Sequence, residues 1–479
     1  MPRLNFPGNE RMELPLDTAE HPMFLEDSSG RKMPLQAIKR RLLFDTCSKY
    51  GLKIAHNFEI EAVEDLYHGK DVNVDQIKFL IEQAQSRTAS LATEHKVKAY
   101  PIIFWIFPIK HAALYTAVKY YCDVHYGVVS QILMNRVFVK LIGNSISNNT
   151  ATNIMLKVLA KCGGQHYAID RNVHKNWAKV TNPDDPTLFL AIDVSHPGAE
   201  ESTLTGWLLG AHQAQQESKK PRIDDPRSVF AVVGNIDIDA MHYEYSARIQ
   251  RTGQENGDHI TEQVYQRIEA FYKHTGKYPK HIVVYRDGVS ESEFKKTLYE
   301  EKDCIDNAKK KFTNMEATLT YIVAQKRHHT RFYAKSEEDA SGPSNNVRPG
   351  LLVEDTVVSR SRFDFFLTSH FGPLGTSKPT HYTVLHDDWM PSPAFWQTVV
   401  FAHCFGYART PRAISLPAPL MYGHLAAKKA KGHFDFWKMS PECPPQYNNN
   451  TEPLVLQQME QDSITVHTNL QGIKAMTFC

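Results

Sequence analysis

Apolar residues recur at helical or strand spacing through the first third of the chain. Residues 35–50 and 75–87 carry apolar stripes at the spacing of amphipathic helices. Residues 100–107 are almost entirely apolar, as in a strand buried on both faces of a parallel sheet. The pattern then predicts a helix, a strand and a helix, at 112–121, 128–133 and 149–161. This alternation of strands and helices indicates an α/β domain.

The order of elements changes after residues 182–186, an Asn-Pro-Asp-Asp-Pro segment that predicts a domain boundary. Three strands, a helix and a fourth strand are predicted next, at 188–193, 228–234, 243–249, 258–272 and 281–287. This is the order of a ribonuclease H-like core. The first and fourth strands end on aspartates, Asp193 and Asp287.

The chain is therefore predicted to have three parts. They are a linker segment at 1–33, an α/β domain at 34–180 and a second α/β domain at 181–479. Long polar stretches at 200–227 and 336–346 are expected to be loops that interrupt the second domain.

Composition limits the function classes. The 479 residues include 55 Lys and Arg against 53 Asp and Glu, so a net charge of +2 indicates no general affinity for nucleic acids. The seven cysteines are scattered and form no Cys-x-x-Cys, which argues against a disulfide framework or a zinc module and for a reducing compartment. The N-terminus has no signal-peptide pattern and the longest apolar run, 101–109, is too short to span a bilayer. We expect an intracellular protein without a membrane partner.

The two strand-terminal aspartates suggest a metal site. Neighbouring strands of a parallel sheet lie about 4.8 Å apart, so Asp193 and Asp287 can share divalent cations. Carboxylate oxygens suit Mg²⁺, and a pair of such ions assists phosphodiester hydrolysis. Taken singly, each aspartate is equally well explained as a cap on a turn.

The residues around both aspartates resemble the PIWI domain of Argonaute proteins. Four motifs carry the likeness in order, namely Ala-Ile-Asp-Val-Ser-His-Pro at 191–197, Tyr-Arg-Asp-Gly-Val-Ser-Glu at 285–291, Gln-Lys-Arg-His-His-Thr-Arg at 325–331, and Pro-Ala-Pro with Tyr-Gly-His-Leu at 417–425. The resemblance implies a site for Mg²⁺, with Mn²⁺ as the alternative, held by Asp193, Asp287 and His424. It also implies a fourth catalytic residue, a loop glutamate, for which Glu255 is the best match.

A second set of residues lies in the first domain. Tyr115 and Lys119 share one helix face, Lys157 and Lys161 share another, and Gln131 is placed at the end of the strand between them. From the residues alone, two amphipathic helices with solvated lysines is the preferred interpretation. The set also resembles the Argonaute MID domain, which is Rossmann-like and precedes PIWI, and that resemblance implies binding of the 5′ phosphate of a guide strand.

The same resemblance implies contacts with the guide backbone. The residues concerned are Lys326, Arg327, Arg331, Arg409, Arg412 and Lys429. The chain departs from many relatives by carrying lysines at 428, 429 and 431, and by ending in Thr-Phe-Cys. The preference for a mono- or triphosphorylated guide is therefore left open.

These resemblances imply a small-RNA-guided silencing protein whose partners are a short guide RNA, a complementary target RNA and silencing scaffold proteins. The Argonaute N and PAZ domains have no counterpart in this sequence. The main alternative is a non-cleaving guide-binding module that acts through partner proteins; a guide-independent nuclease and a protein scaffold are weaker ones. A cytoplasmic location is expected, with the nucleus or RNA granules as further locations, and nothing indicates an obligate oligomer.

Overall fold

The computed structural model describes residues 24–26, 32–34, 66–68, 71–94, 100–142, 148–165, 168–195, 227–251, 257–313, 315–448 and 451–479. Four predictions lie wholly or mostly outside these residues: the linker segment at 1–33, the helix at 35–50, the polar loop up to residue 226, and Glu255. Among the described residues, no helix combines the length and apolarity needed to cross a bilayer.

The first part of the chain contains short hairpins, helices and one parallel strand pair. The strands are β1 (Phe24–Glu26), β2 (Lys32–Pro34), β3 (Tyr67–His68), β4 (Asp71–Val72), β5 (Ile102–Phe107) and β6 (Val129–Met134). The helices are α1 (Val74–Glu94), α2 (Ala112–Tyr120), α3 (Asn135–Ile142), α4 (Asn148–Lys161) and α5 (Lys175–Val180). Strands β5 and β6 pair in parallel, as predicted for a strand–helix–strand unit.

The remaining elements build the second part. Its strands are β7 (Thr187–Ser195), β8 (Arg227–Asn235), β9 (Tyr243–Arg251), β10 (His281–Asp287), β11 (Thr318–Gln325), β12 (Ala340–Ser341), β13 (Asn346–Val347), β14 (Leu351–Val353), β15 (Phe363–Thr368) and β16 (Thr380–Asp387). Its helices are α6 (Gly257–Thr275), α7 (Phe294–Lys310), α8 (Pro393–His403), α9 (Ala418–Met439), α10 (Pro453–Asp462) and α11 (Thr468–Gly472).

Eight of these strands form one mixed sheet in the order β14-β15-β16-β11-β10-β7-β8-β9. Strands β7, β10 and β11 are parallel to one another, and β8 and β9 continue from β7 as an antiparallel meander. The predicted ribonuclease H-like order is therefore confirmed. Helix α9 packs on one face against β7 and β8, while α6 and α7 cover the other face.

Two details differ from the sequence-based expectations. Gln131 lies within β6 rather than at its end. Helix α1 extends beyond the predicted residue 87 to Glu94. The prediction stopped short because the C-terminal half of the helix is largely polar and shows no apolar stripe. Residues 182–186 form the connection between α5 and β7. The division into domains at that point stays a prediction.

The C-terminal tail returns to the first part of the chain. The backbone N–H of Met476 donates to the carbonyl oxygen of Ala160, at 3.1 Å. After α4, Gly163 has a φ of +72°, and a Cβ there would lie 1.8 Å from the carbonyl oxygen of Ile473. Glycine is therefore required both by the backbone conformation and by the close approach of the tail.

Candidate functional site

Asp193 and Asp287 lie side by side at the carboxyl ends of two parallel strands. The register of β7 and β10 pairs Ile192 with Arg286, so the next residue on each strand is an aspartate. Both side chains point to the sheet face that α9 covers, since side chains alternate along a strand. This juxtaposition is the one expected from the sequence.

His424 on α9 lies between the two carboxylates. Its Nδ1 is 3.1 Å from Oδ2 of Asp193, and its Nε2 is 3.0 Å from Oδ2 of Asp287. Hydrogen bonds to Asp193 and then Asp287 raise the pKa of His424 to about 10, against the opposing effect of burial. We name these three residues the strand-end cluster; in it a protonated imidazole bridges two carboxylates.

Gly423 allows α9 to approach the sheet at this point. A Cβ on Gly423 would lie 3.3 Å from Cβ of Asp193 and 3.8 Å from Cβ of Ala191. The glycine next to His424 therefore sets the height of the imidazole above the strand ends.

The donor chemistry of the strand-end cluster fits a divalent cation. Two carboxylates and one imidazole are ligands that Mg²⁺ or Mn²⁺ accepts in proteins, with the carboxylate oxygens preferred. Among the described residues, no group of three or more acidic, histidine or cysteine side chains is already arranged around a cation position.

The second set of residues also comes together, around β6. Helix α2 begins after His111, whose Nδ1 accepts the backbone N–H of Leu114 and so caps the helix that carries Tyr115 and Lys119. Nζ of Lys119 donates to the carbonyl oxygen and to Oγ of Ser130, both at 2.7 Å. We name Tyr115, Lys119, Gln131, Lys157 and Lys161 the lysine clamp.

Helix α4 brings the other lysines to the same point. Nζ of Lys161 donates to Oε1 of Gln131 at 2.8 Å and to the carbonyl oxygen of Ser130 at 3.3 Å. The same carbonyl thus holds Lys119 and Lys161 close together. Arg409 acts electrostatically on both Tyr115 and Lys157, so it lies within electrostatic range of the clamp.

The clamp carries positive charge that is only partly balanced. Burial lowers the pKa of Lys119 to about 8, although Asp123 acts in the opposite direction. Burial and then the neighbouring Lys119 lower the pKa of Lys161 well below its ordinary value, and burial lowers that of Lys157. Among the described residues, neither Lys119 nor Lys161 makes an ion pair within 4.0 Å. Such a site favours an anion.

The structure adds a group that the sequence did not suggest. A single π-helical turn, Tyr121–His125, follows α2 and buries Asp123. Oδ2 of Asp123 lies 2.6 Å from Nζ of Lys429 and 3.4 Å from Nε2 of His433, both on α9. Burial by itself would raise the pKa of Asp123, but Lys429, His433 and Lys119 together outweigh it and the pKa is lowered.

Lys429 lies behind the lysine clamp, where it pairs with Asp123. Its role as a guide contact stays a prediction. Its Nζ also donates to the carbonyl oxygen of Thr477 in the C-terminal tail. The tail ends with Cys479, which is buried within electrostatic range of Lys157, Lys161 and Arg409. The back of the clamp is thus formed by α9 and the last residues of the chain.

The other residues proposed for the guide backbone differ in exposure. Nζ of Lys326 donates to Oγ of Ser415 and lies within electrostatic range of Asp287. Arg331 donates to the carbonyl oxygens of His328 and Thr330, at 3.0 and 2.7 Å. Arg327 and Arg412 are exposed. Their role as guide contacts stays a prediction.

Comparison with known proteins identifies the family of the chain. The Piwi domain family matches residues 102–435. Piwi-like protein ergo-1 of Caenorhabditis elegans is 39% identical over 349 residues, which is 70% of this chain and 30% of that protein. The chain thus spans about 30% of the length of this curated relative.

Two solved structures show the same architecture. The C-terminal lobe of a budding yeast Argonaute has a TM-score of 0.64 at 22% identity, covering 82% of this chain and 72% of that one. Kluyveromyces polysporus Argonaute with a guide RNA has a TM-score of 0.63 at 22% identity, covering 82% and 43%. At this identity the likeness concerns the fold alone. The chain therefore belongs to the Piwi domain family, and its fold is that of the C-terminal, MID–PIWI lobe of Argonaute proteins.

Proposed function

We propose that this chain forms the part of a small-RNA-guided silencing protein that binds a guide RNA by its 5′ phosphate and cuts complementary RNA. The observation that carries the proposal is the pair of buried ammonium groups of Lys119 and Lys161, which have neutral oxygen partners but no ion pair among the described residues. The K. polysporus structure, which includes a guide RNA, shares the fold.

A terminal phosphate suits the lysine clamp better than an internal phosphodiester does. A terminal phosphate carries nearly two negative charges at neutral pH and offers three acceptor oxygens. Lys119 and Lys161 each keep at least one N–H beyond their observed hydrogen bonds. Tyr115, Lys157 and Arg409 add further donors.

The cleavage part of the proposal rests on the strand-end cluster. Asp193, Asp287 and His424 would hold Mg²⁺, which supplies Lewis-acid chemistry for phosphodiester hydrolysis. Glu255 is proposed as a fourth catalytic group on the basis of the sequence resemblance. Base pairing between guide and target would select the RNA that is cut, while lysines and arginines hold the backbone.

The test is cleavage of an end-labelled target RNA by protein loaded with a complementary guide in Mg²⁺. Matched controls are a guide with a 5′ hydroxyl, a guide with central mismatches, and Asp193→Asn. We expect one cut in the target, opposite the middle of the guide. This cut should be lost with the centrally mismatched guide and in Asp193→Asn. We expect the 5′-hydroxyl guide to load poorly.

The possible failures have different meanings. Strong 5′-phosphate-dependent guide binding without any cut would reject cleavage and favour a silencing module that acts through partner proteins. A cut that does not depend on the guide would reject the guide-binding function and favour an autonomous ribonuclease H-like nuclease.

A further inference from the structure

A buried charged network lies directly behind Asp287. Arg286 points to the sheet face opposite the strand-end cluster, because side chains alternate along β10. Its Nε donates to Oε1 of Glu301 on α7 at 2.9 Å, and its Nη1 donates to the backbone carbonyl oxygen of Asp287 at 2.9 Å. One guanidinium thus joins helix α7 to the backbone of a proposed metal ligand.

The acidic end of the network is held by a neighbouring strand. Oε2 of Glu301 accepts a hydrogen bond from the Tyr321 hydroxyl at 2.6 Å. Tyr321 lies on β11, where the parallel register sets it opposite Val284. Glu301 is 4% exposed and Tyr321 is fully buried, in the apolar layer formed by α6, α7 and the sheet.

A buried ion pair in this layer is not explained by stability. Desolvation of both charges offsets most of their attraction, and an apolar pair of similar volume often stabilises a fold equally well. The Arg286 charge also acts on the Asp193 carboxylate, and its guanidinium holds the Asp287 backbone, so the network reaches both strand ends. The position of the Arg286–Glu301 ion pair therefore suggests that it serves the strand-end cluster.

We propose that Arg286, Glu301 and Tyr321 form a positioning network that fixes the backbone at Asp287 and keeps the charge behind the strand-end cluster balanced for cation binding. The inference rests on the proposed cleavage function. Arg286 holds the carbonyl of Asp287, and Glu301 neutralises the guanidinium so that its charge does not oppose the cation. Tyr321 holds Glu301 in place.

The variant that tests the charge is Glu301→Gln. The side chain keeps its volume, but Arg286 is left without a counter-charge, close to both aspartates. The unbalanced positive charge of Arg286 behind the strand-end cluster is expected to weaken binding of a divalent cation by about tenfold. Tyr321→Phe removes only the bond that orients Glu301 and is expected to have an effect of about threefold.

The first readout is Mn²⁺ binding to guide-loaded protein, followed by electron paramagnetic resonance of free Mn²⁺. The second is the Mg²⁺ concentration that gives half-maximal cleavage. We expect both to shift together in Glu301→Gln, with guide affinity unchanged. Asp306→Asn is the matched control, since Asp306 lies on α7 but pairs only with Lys302 and Lys309 among the described residues. It should leave both readouts unchanged.

A charge-neutral double variant separates the charge-balancing role of the network from its role in positioning the Asp287 backbone. Arg286→Met with Glu301→Met removes both charges, so Mn²⁺ affinity should return to within about threefold of wild type. The maximal cleavage rate should fall below that of wild type, because the bond from Arg286 to the Asp287 carbonyl is lost. The double variant also remains informative if Glu301→Gln does not fold.

Several results would overturn the inference. These are wild-type Mn²⁺ affinity in Glu301→Gln, equal loss in Asp306→Asn, or a double variant that binds Mn²⁺ as weakly as the single one. Wild-type protein that binds guide but no Mn²⁺ would instead reject the proposed cleavage function, and the inference with it.

Discussion

The lysine clamp and the strand-end cluster differ in how their charges are balanced. In the clamp, Lys119 and Lys161 are buried with neutral partners, and Asp123, a buried carboxylate that acts on both, is already paired with Lys429. In the strand-end cluster, Asp193 and Asp287 both contact one protonated imidazole. Within the described part of the chain, the clamp lacks a negative charge to balance its lysines, whereas the two aspartates of the strand-end cluster already form ion pairs with His424.

This difference means that the two sites respond differently to a ligand. An anion entering the clamp adds counter-charge to lysines that burial has destabilised, so binding needs no internal contact to break. A cation entering the strand-end cluster competes with hydrogen bonds from His424. The clamp is therefore expected to bind its ligand without cofactors, and the cluster to depend on the concentration of the cation.

The largest expected effect is at the strand-end cluster. Asp193→Asn removes one anionic ligand, and cleavage should fall by about three orders of magnitude, equivalent to ~4 kcal/mol of barrier. Guide binding should not change, because the clamp is a separate site. Single-turnover cleavage and guide binding are measured on the same preparation. Asp184→Asn, on an exposed ion pair with Lys277, is the control; if guide binding also falls in Asp193→Asn, the two sites are coupled.

The next effect is at the clamp. Lys119→Met and Lys161→Met each remove a charge-assisted hydrogen bond, worth about 1.5–3 kcal/mol, so a 5′-phosphorylated guide should bind roughly 10- to 100-fold more weakly. Binding of a 5′-hydroxyl guide should change little. The melting temperature should not fall, since a buried ammonium without a counter-charge is replaced by an apolar chain. Filter binding and thermal unfolding test this, with exposed Lys428→Met as control; an equal loss for both guides would contradict it.

A smaller effect is expected from pH. The Lys119 pKa of about 8 in the free protein should rise when a phosphate binds. Above pH 8 the free protein loses this proton and binding must recover it, so affinity should fall roughly fivefold from pH 8 to pH 9. At lower pH the affinity should fall again once the phosphate itself takes up a proton near pH 6. Titrations of a 5′-phosphorylated guide test this; the fall should be absent in Lys119→Met.

The smallest effect is expected from changing the distance between helix α9 and the sheet at Gly423. Gly423→Ala places a Cβ 3.3 Å from Cβ of Asp193, so Asp193 or the helix that carries His424 must shift by a few tenths of an ångström. Cleavage should fall about two- to tenfold while guide binding stays unchanged. Gly432→Ala on the same helix is the matched control, because its Cβ would meet only Thr116, at 3.9 Å. Equal rates for both variants would show that the position of His424 is not critical.

The local pattern predicted more of the strand-end cluster than of the clamp. Asp193 and Asp287 each end an apolar run, and the ribonuclease H-like order of strands places those runs side by side. His424 was identified only through the family motif, because it lies more than a hundred residues later on α9. The clamp residues were recognised by spacing and resemblance, and the structure brings Lys119, Gln131 and Lys161 together.

Two features were missed for physical reasons. Asp123 is one carboxylate in an apolar segment, and no local periodicity reveals that it pairs with Lys429. The bond from Arg286 to Glu301 spans two elements separated by a loop, and both residues look like ordinary polar positions in the sequence. In both cases the partner is determined by tertiary packing, because a buried charge is costly unless an opposite charge packs against it.

The sequence by itself determined the strand and helix order, the strand-terminal aspartates and the types of residue in each site, because these depend on short-range apolar pattern and spacing. Only the tertiary structure decided which charges are balanced. That balance depends on how α9, α7 and the C-terminal tail pack against the sheet and the clamp, and contacts between segments so distant in the chain leave no mark in local sequence.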